Sequence, residues 1–263
     1  MIPILAFDIE TVPDAHGIRL LHGLPADLSD AQVVEWAQQK RRAKTGGDFM
    51  PLHLHRVVAV SCCMRWGQDK IHVGTIGDIG DDEETVIARF FELVESHTPQ
   101  LVSWNGGGFD LPVLHYRALI HGIEAARYWD TGEGGFGDSR EFKWNNYISR
   151  YHSRHCDLMD LLSLYQPRAA VPLDEMAKLC GFPGKLGMDG GKVWEAYREG
   201  RLKDIRDYCE TDAANTYLMY LRFCLMGGAM DADEYEQEIR RLKNYLTGLA
   251  GEQHWQEFLA AWG

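Results

Sequence analysis

Short apolar runs alternate along this chain with stretches of helical periodicity, and the order of the two predicts the architecture. Ile2 to Phe7 is nearly continuous apolar sequence that ends abruptly in Asp8-Ile9-Glu10. Such a run predicts a buried central strand with acids at its end. Residues 13–52 read as an insertion, in which Pro25 and Ser29-Asp30 precede an amphipathic piece over about 30–43 that ends in Lys-Arg-Arg and Gly46-Gly47. Arg56–Trp66 and Lys70–Ile76 flank a turn at Gly67-Gln68-Asp69 and predict a β-hairpin. Asp81-Asp82-Glu83-Glu84 then opens a helix to about Ser96, with acids in the first turn where the helix dipole favours them.

Leu101 to Trp104 reads as a fourth strand, Asn105-Gly-Gly-Gly108 as a turn, and Asp110 as the start of a helix to about His121. Residues 122–155 are rich in Gly, aromatics and, towards the end, Arg, and read as loop with little regular structure. Two short helices over 158–165 and 173–180 and a glycine-rich loop over 183–191 follow. Lys203–Met226 is a strong helix stopped by Gly227-Gly228, and Asp231 caps another to about Leu249 before a last one at 252–262. There is no internal repeat. Three β segments followed by strands alternating with helices predict an α/β fold with a mixed sheet covered on both faces.

Composition narrows the function. A length of 263 residues with 45% apolar side chains suits one large α/β domain carrying a helical appendage. The net charge of −12 argues against an architectural DNA binder, which needs a basic face to neutralise phosphates. It weighs little against an enzyme that grips a few nucleotides through cations held by carboxylates. Cys62, Cys63, Cys156, Cys180, Cys209 and Cys224 form no C-x-x-C pair and no zinc spacing, and read as buried reduced thiols. No charged-then-apolar leader opens the chain and no apolar stretch approaches the roughly 20 residues that span a bilayer. The expectation is a cytoplasmic protein with no membrane partner.

Three groups of polar residues carry the candidate chemistry. Asp8 and Glu10 lie two apart on a strand, so their side chains leave the same face. Acids there are costly without a metal or a basic partner, although a strand fraying into polar loop gives the same pattern. Tyr208 and Asp212 lie four apart on one helix, hence one turn apart on one face; a surface Asp near a partly buried Tyr would look alike. Asp110 follows a triple glycine that permits close backbone approach, and it fits a helix N-cap as well as a ligand. Phosphodiester hydrolysis needs a hydroxide and a way to spread charge over two in-line oxygens, which a pair of metal ions held by converging carboxylates supplies.

Taken in order, Asp8-Ile-Glu10-Thr11, Asn105-x-x-x-Phe109-Asp110 and Tyr208-x-x-x-Asp212 resemble the DEDD exonuclease superfamily in its tyrosine-bearing branch. More narrowly, they look like the stand-alone exonucleases related to the proofreading domain of B-family DNA polymerases. YHSRHCDLMDLL, GKLGMDGGKVWEAY and IRDYCETDAANTYLMYLRF fit that subgroup, and the resemblance covers about residues 2–226. It implies a ribonuclease H-like mixed sheet flanked by helices, with an exonuclease domain over 1–226 and a helical extension over 227–263 packed on it.

The same resemblance implies roles and partners. Asp8 would bridge two divalent ions, Mg²⁺ or Mn²⁺, Glu10 and Asp212 would complete the tighter site, and Asp110 would hold the second ion. Tyr208 would hydrogen-bond the attacking water, an orienting role that suits a side chain titrating near pH 10. Thr11 would meet the terminal nucleotide, Val12 would press on its base, and Asn105 and Phe109 would shape the channel; a core or turn role competes for each. Lys192 and the Gly190-Gly191 turn read first as a helix start, with contact to the nucleic-acid backbone as the alternative. Asp157 reads as a cap or supporting residue and His155 as a packing residue. The stretch holding Arg140, Lys143, Arg150 and Arg154 with interleaved aromatics fits either a single strand or an aromatic-anchored loop. The expected reaction is 3′–5′ removal of nucleotides from single-stranded nucleic acid, DNA favoured and RNA possible, with no covalent polymerase domain. A nucleic-acid binder without turnover and a metal-free two-carboxylate hydrolase are the competing classes.

Overall fold

The computed structural model describes residues 2–133 and 139–262, so part of the glycine-rich 122–155 stretch, at 134–138, lies outside the described residues. The elements in chain order are β1 (Ile4–Pro13), α1 (Ala15–His22), α2 (Asp30–Thr45), β2 (His55–Trp66), β3 (Lys70–Thr75), α3 (Glu83–His97), β4 (Gln100–Ser103) and α4 (Asp110–His121). After them come α5 (Ala126–Trp129), β5 (His155–Asp157), α6 (Leu158–Leu162), α7 (Leu173–Leu179), α8 (Val193–Arg198), α9 (Leu202–Met226), α10 (Ala232–Gly248) and α11 (Gln253–Ala261).

Five strands form one mixed sheet in the order β3-β2-β1-β4-β5. β1 sits at its centre, antiparallel to β2 and parallel to β4, while β5 adds a parallel edge beside β4. The pleat of β1 sorts its residues cleanly. Leu5, Phe7 and Ile9 point into the apolar cluster built with Val86, Phe90 and Leu114 of α3 and α4. Ala6 points the other way, to the cluster formed with Ala214, Tyr217 and Leu218 of α9. Asp8 and Glu10 share the parity of Ala6, so the strand aims both acids at the α9 face. The pairing of β1 with β2 shifts between Glu10 and Thr11, a bulge of the kind that re-aims side chains next to active sites.

The hairpin, α3, α4, α9 and the two C-terminal helices stand where the periodicity puts them. α10 begins at an Asp231 N-cap with a full capping box. It is fastened to the sheet by buried Arg65 of β2, whose Nε and Nη2 each lie 2.9 Å from Glu238, with Tyr217 Oη donating to the same carboxylate at 3.1 Å. A second buried network ties α4 to the ends of β1 and β2. Arg117 donates to Glu83 and, at 2.6 Å, to Asp14, while Glu83 accepts from Val57 N at 2.6 Å.

Three elements, β5, α1 and α5, differ from the sequence reading. β5 falls at the end of the stretch read as loop; three residues, His-Cys-Asp, are too few to show a period, and the strand exists because β4 pairs with it. α1, of eight residues, and α5, of four, are likewise short. α1 packs with α2, Met50 and Leu54 in a small apolar cluster of the insertion, which Trp194 of α8 joins from the other side. The 140–154 stretch takes the anchored-loop form: Phe142 and Tyr147 are buried, and the Arg154 guanidinium lies 4.2 Å from the Phe142 ring centre. Arg150 pairs with Asp160 at 3.1 Å and Lys143 with Glu133 at 3.4 Å. All six cysteines are free, and no described helix is long and apolar enough to cross a membrane.

Candidate active site

Side chains from the separate motifs meet on the α9 side of β1. One carboxylate oxygen each from Asp8, Glu10 and Asp212 lies within 4.8 Å of the others. Asp212 reaches them because α9 runs along β1 and turns that face of the helix inward; it is 1% exposed. Asp110 comes from the first turn of α4. The N-cap position belongs to Phe109, which makes no side-chain cap bond, and Asp110 Oδ1 instead accepts from Ile9 N at 3.2 Å, between the two β1 acids. Asp110 is therefore tied to β1 and does not serve as the helix cap.

The turn that carries Asn105 and Asp110 is held from below. Asn105 adopts φ 69°, and a Cβ at Gly108 would collide with its Oδ1, so this position of the triple glycine is required by close approach. Asp157, at the end of β5, accepts from Asn105 N at 3.0 Å and Gly107 N at 2.8 Å and also caps α6. It supports the turn, as the cap reading implies. His155 is a packing residue: its Nε2 lies 2.8 Å from Ser103 Oγ, and burial lowers its pKa to about 4.

The remaining expected contacts divide. Thr11, Asn105 and Phe109 line a cleft of about 650 Å³ whose wall also includes Asp8, Glu10 and Asp212. Val12 does not line it. Val12 keeps the α9 side of the sheet, like Glu10, and packs in the apolar cluster with Val193, Ile205 and Cys209, where it is 1% exposed. Lys192 ends a 3₁₀ turn over 190–192 that precedes α8, as a helix start should.

Two residues that the sequence reading did not single out belong to this cleft. Lys185, in the glycine-rich loop, places Nζ 2.9 Å from Asp212 Oδ2 and donates to the Tyr208 hydroxyl. His55, at the start of β2, places Nδ1 2.8 Å from Thr11 Oγ1 and Nε2 3.1 Å from the Met50 carbonyl. Lys185 lies in GKLGMDGGKVWEAY, a stretch already marked by its fit to the family, and that was its one signal in the sequence.

The electrostatics are those of a cation site. Burial first, and then the neighbouring carboxylates, raise Asp8 and Glu10 well above the ordinary carboxylate range. Burial lifts Asp110 to about 7 and also raises Asp212, with Lys185 opposing both. Burial alone would lower Lys185, but Asp212 and Tyr208 outweigh it and raise its pKa. Tyr208 is raised by burial, Asp212 and Glu10, so its phenol stays protonated at neutral pH. One lysine does not balance the grouped Asp8, Glu10 and Asp212 with Asp110 beside them, and Asp212 Oδ1 is a buried oxygen with no hydrogen-bond partner. Hard carboxylate oxygens converging on an unsatisfied spot are the donor set that divalent ions such as Mg²⁺ and Mn²⁺ take.

A second group of potential ligands, Asp207, Glu210 and His254, lies where α9 meets the first turn of α11. Internal partners engage its carboxylates, while His254 Nδ1 has no hydrogen-bond partner and lies 3.6 Å from Asp207 Oδ1. Lys203 holds both Asp207 oxygens, Thr75 donates twice to Glu210, and His254 Nε2 lies 3.1 Å from the other Glu210 oxygen.

Comparison with known proteins places the chain in a family, although the matched residues begin after Asp8 and Glu10. The family described as "Predicted 3'-5' exonuclease related to the exonuclease domain of PolB" matches residues 47–262. The DNA polymerase epsilon catalytic chain of Saccharomyces cerevisiae is 26% identical over 148 residues, which are 54% of this chain and 6% of that one. Its Schizosaccharomyces pombe counterpart is 26% identical over 147 residues, again 54% and 6%. The chain thus spans only a small part of the curated relatives it matches. Among solved structures, the family B DNA polymerase from the hyperthermophilic archaeon Pyrobaculum calidifontis aligns with a TM-score of 0.52 at 21% identity, over 86% of this chain and 25% of that one. That likeness bears on the fold, and it supports the ribonuclease H-like sheet and its flanking helices.

Proposed function

This chain belongs to the predicted 3′–5′ exonucleases related to the exonuclease domain of PolB, and from that premise we propose that it removes nucleotides one at a time from the 3′ end of a single strand. DNA is the favoured substrate, RNA is the second, and nucleoside 5′-monophosphates are the products. The observation that carries the reading is the convergence of Asp8, Glu10 and Asp212 within 4.8 Å at a cleft, with a buried Asp212 oxygen left unpartnered. The catalytic unit is assigned to residues 1–226, with 227–263 as a helical extension packed on it.

Asp8, Glu10 and Asp212 would hold one divalent ion, and Asp8 with Asp110 a second. When bound, such ions lower the pKa of water and spread the charge of the attacking and leaving oxygens. The chain's own groups do the rest. Tyr208, kept neutral by burial and by the acids, orients the attacking water through its hydroxyl rather than taking a proton from it. Lys185 fixes that hydroxyl by donating to it, and it offsets part of the charge on Asp212. Thr11, Asn105 and Phe109 position the last nucleotides. Asp157 keeps the Asn105 turn in place from outside the cleft.

The test uses a 5′-labelled single-stranded DNA oligonucleotide and its RNA twin, incubated with wild type or Asp8→Asn in Mg²⁺, Mn²⁺ or chelator. Products shortening from the 3′ end, only with metal and intact Asp8, are expected. Near-normal turnover by Asp8→Asn, or shortening from the 5′ end, would sink the assignment.

A further inference from the structure

We propose that Phe49, at the end of the insertion between β1 and β2, is a stacking platform for an unpaired base of the bound strand. The inference rests on the exonuclease reading of the same cleft and names a residue that sets its preference for single strands. Phe49 is 61% exposed, whereas Met50 and Leu54 beside it are buried in the insertion's core. Single exposed apolar side chains are ordinary; what distinguishes Phe49 is that it lines the cleft that holds Asp8, Glu10 and Asp212.

The ring is held, not loose. Its centre lies 4.9 Å from the His55 ring and 5.8 Å from the Phe109 ring, and His55 and Phe109 meet edge to face at 5.2 Å. His55 is pinned through both nitrogens, to Thr11 Oγ1 and to the Met50 carbonyl, and burial lowers its pKa, which keeps it neutral. α2 fixes the backbone: Arg41 Nε donates to the Phe49 carbonyl at 3.0 Å, and Arg42 pairs with Asp48 at 2.6 Å. Phe49 is therefore one end of an aromatic series that runs through His55 to Thr11, the neighbour of Glu10.

Charge explains why the occupant is a base. Among the described residues lining this cleft, Lys185 alone carries a Lys or Arg cation, and it is engaged with Asp212 and Tyr208. The whole chain has a net charge of −12. Affinity for a polyanion from neutralised phosphates is therefore small here, and beyond the metal-bound phosphate the strand must be gripped by other means. An aromatic face supplies this for any base that is not already stacked in a duplex. Pairing hides the base faces, so a paired 3′ end loses this contact while an unpaired one gains it.

The experiment measures kcat and KM on a single-stranded oligonucleotide for wild type, Phe49→Ala and Phe49→Trp. Each enzyme is also given the same oligonucleotide carrying one abasic residue, moved stepwise from the 3′ end. Loss of one base–aromatic stack raises KM roughly 5- to 150-fold, so Phe49→Ala should raise KM in that range with kcat much less affected, and Phe49→Trp should restore KM. One abasic position should weaken wild type by a similar factor and weaken Phe49→Ala no further, because the two changes remove the same contact. An unchanged KM in Phe49→Ala, or fully additive effects at every abasic position, overturns the proposal while leaving the exonuclease reading standing. A wild type that shortens no strand defeats the exonuclease reading itself, and this inference with it.

Discussion

Replacing Asp110 by Asn should remove a pH dependence of stability that the acid cluster imposes. Burial lifts the Asp110 carboxyl from its ordinary 3.8 to about 7. Between those values the folded protein keeps a proton that the unfolded chain has released. The stability from this group is therefore full below pH 3.8 and is lost as pH rises through about 7. Integrating from about pH 5 to about pH 8 gives a loss of roughly 2–3 kcal/mol. For a chain of 263 residues, at about 2 °C per kcal/mol, that is about 5 °C in Tm. Asparagine has nearly the same shape, can still accept from Ile9 N, and does not titrate. The assay is thermal unfolding of both proteins in chelator across that range, read as wild-type Tm minus variant Tm. His115 and His155, each lowered to about 4 by burial, pull the other way below neutrality but cancel in the difference. The difference should fall by about 5 °C from the acid to the alkaline end. Mg²⁺ should raise the wild-type Tm more as pH rises, since it binds the deprotonated acids, by about 2.7 kcal/mol at a hundredfold excess over Kd. A difference that is flat, or that grows with pH, would refute the reasoning.

Three further outcomes follow from named contacts. Tyr208→Phe should keep metal affinity while lowering kcat roughly 10- to 100-fold; a variant that loses its metals instead would show that the hydroxyl is not an orienting group. Lys185→Met removes the cation that opposes the raised pKa values of Asp8, Glu10 and Asp212. The acid limb of the pH–rate profile should then move to higher pH, and a shift the other way would contradict the assigned electrostatics. Glu238→Ala strands the buried Arg65 guanidinium and should cost about 3–5 kcal/mol in urea unfolding; a loss under about 1 kcal/mol would mean that α10 is held by its apolar face alone.

How much of this was legible in the sequence depends on the range of the interaction concerned. The spacing of two between Asp8 and Glu10 and of four between Tyr208 and Asp212 are local periodicities, and they carry the face each side chain takes. The hairpin and α9 were legible for the same reason. Asp110 was open between cap and ligand because only the contact with Ile9, 101 residues away, decides it. For Val12 the core role that competed with base contact is the one the fold takes, and its partners Val193, Ile205 and Cys209 stand about 180 residues or more away along the chain. Lys185 and His55 have no pattern of their own: one lies in a glycine-rich loop, and the other takes its place from Thr11 and Met50. β5, three residues long, owes its existence to β4. What was missed is what tertiary pairing creates.

The most direct test of the central claim is anomalous diffraction from crystals soaked with Mn²⁺ and an oligonucleotide whose 3′-terminal linkage resists cleavage. Manganese among Asp8, Glu10, Asp110 and Asp212, with the terminal phosphate beside it and Tyr208 facing that phosphate, is the predicted result. Manganese at the Asp207, Glu210 and His254 group instead, or a strand bound away from the acid cleft, would contradict the account.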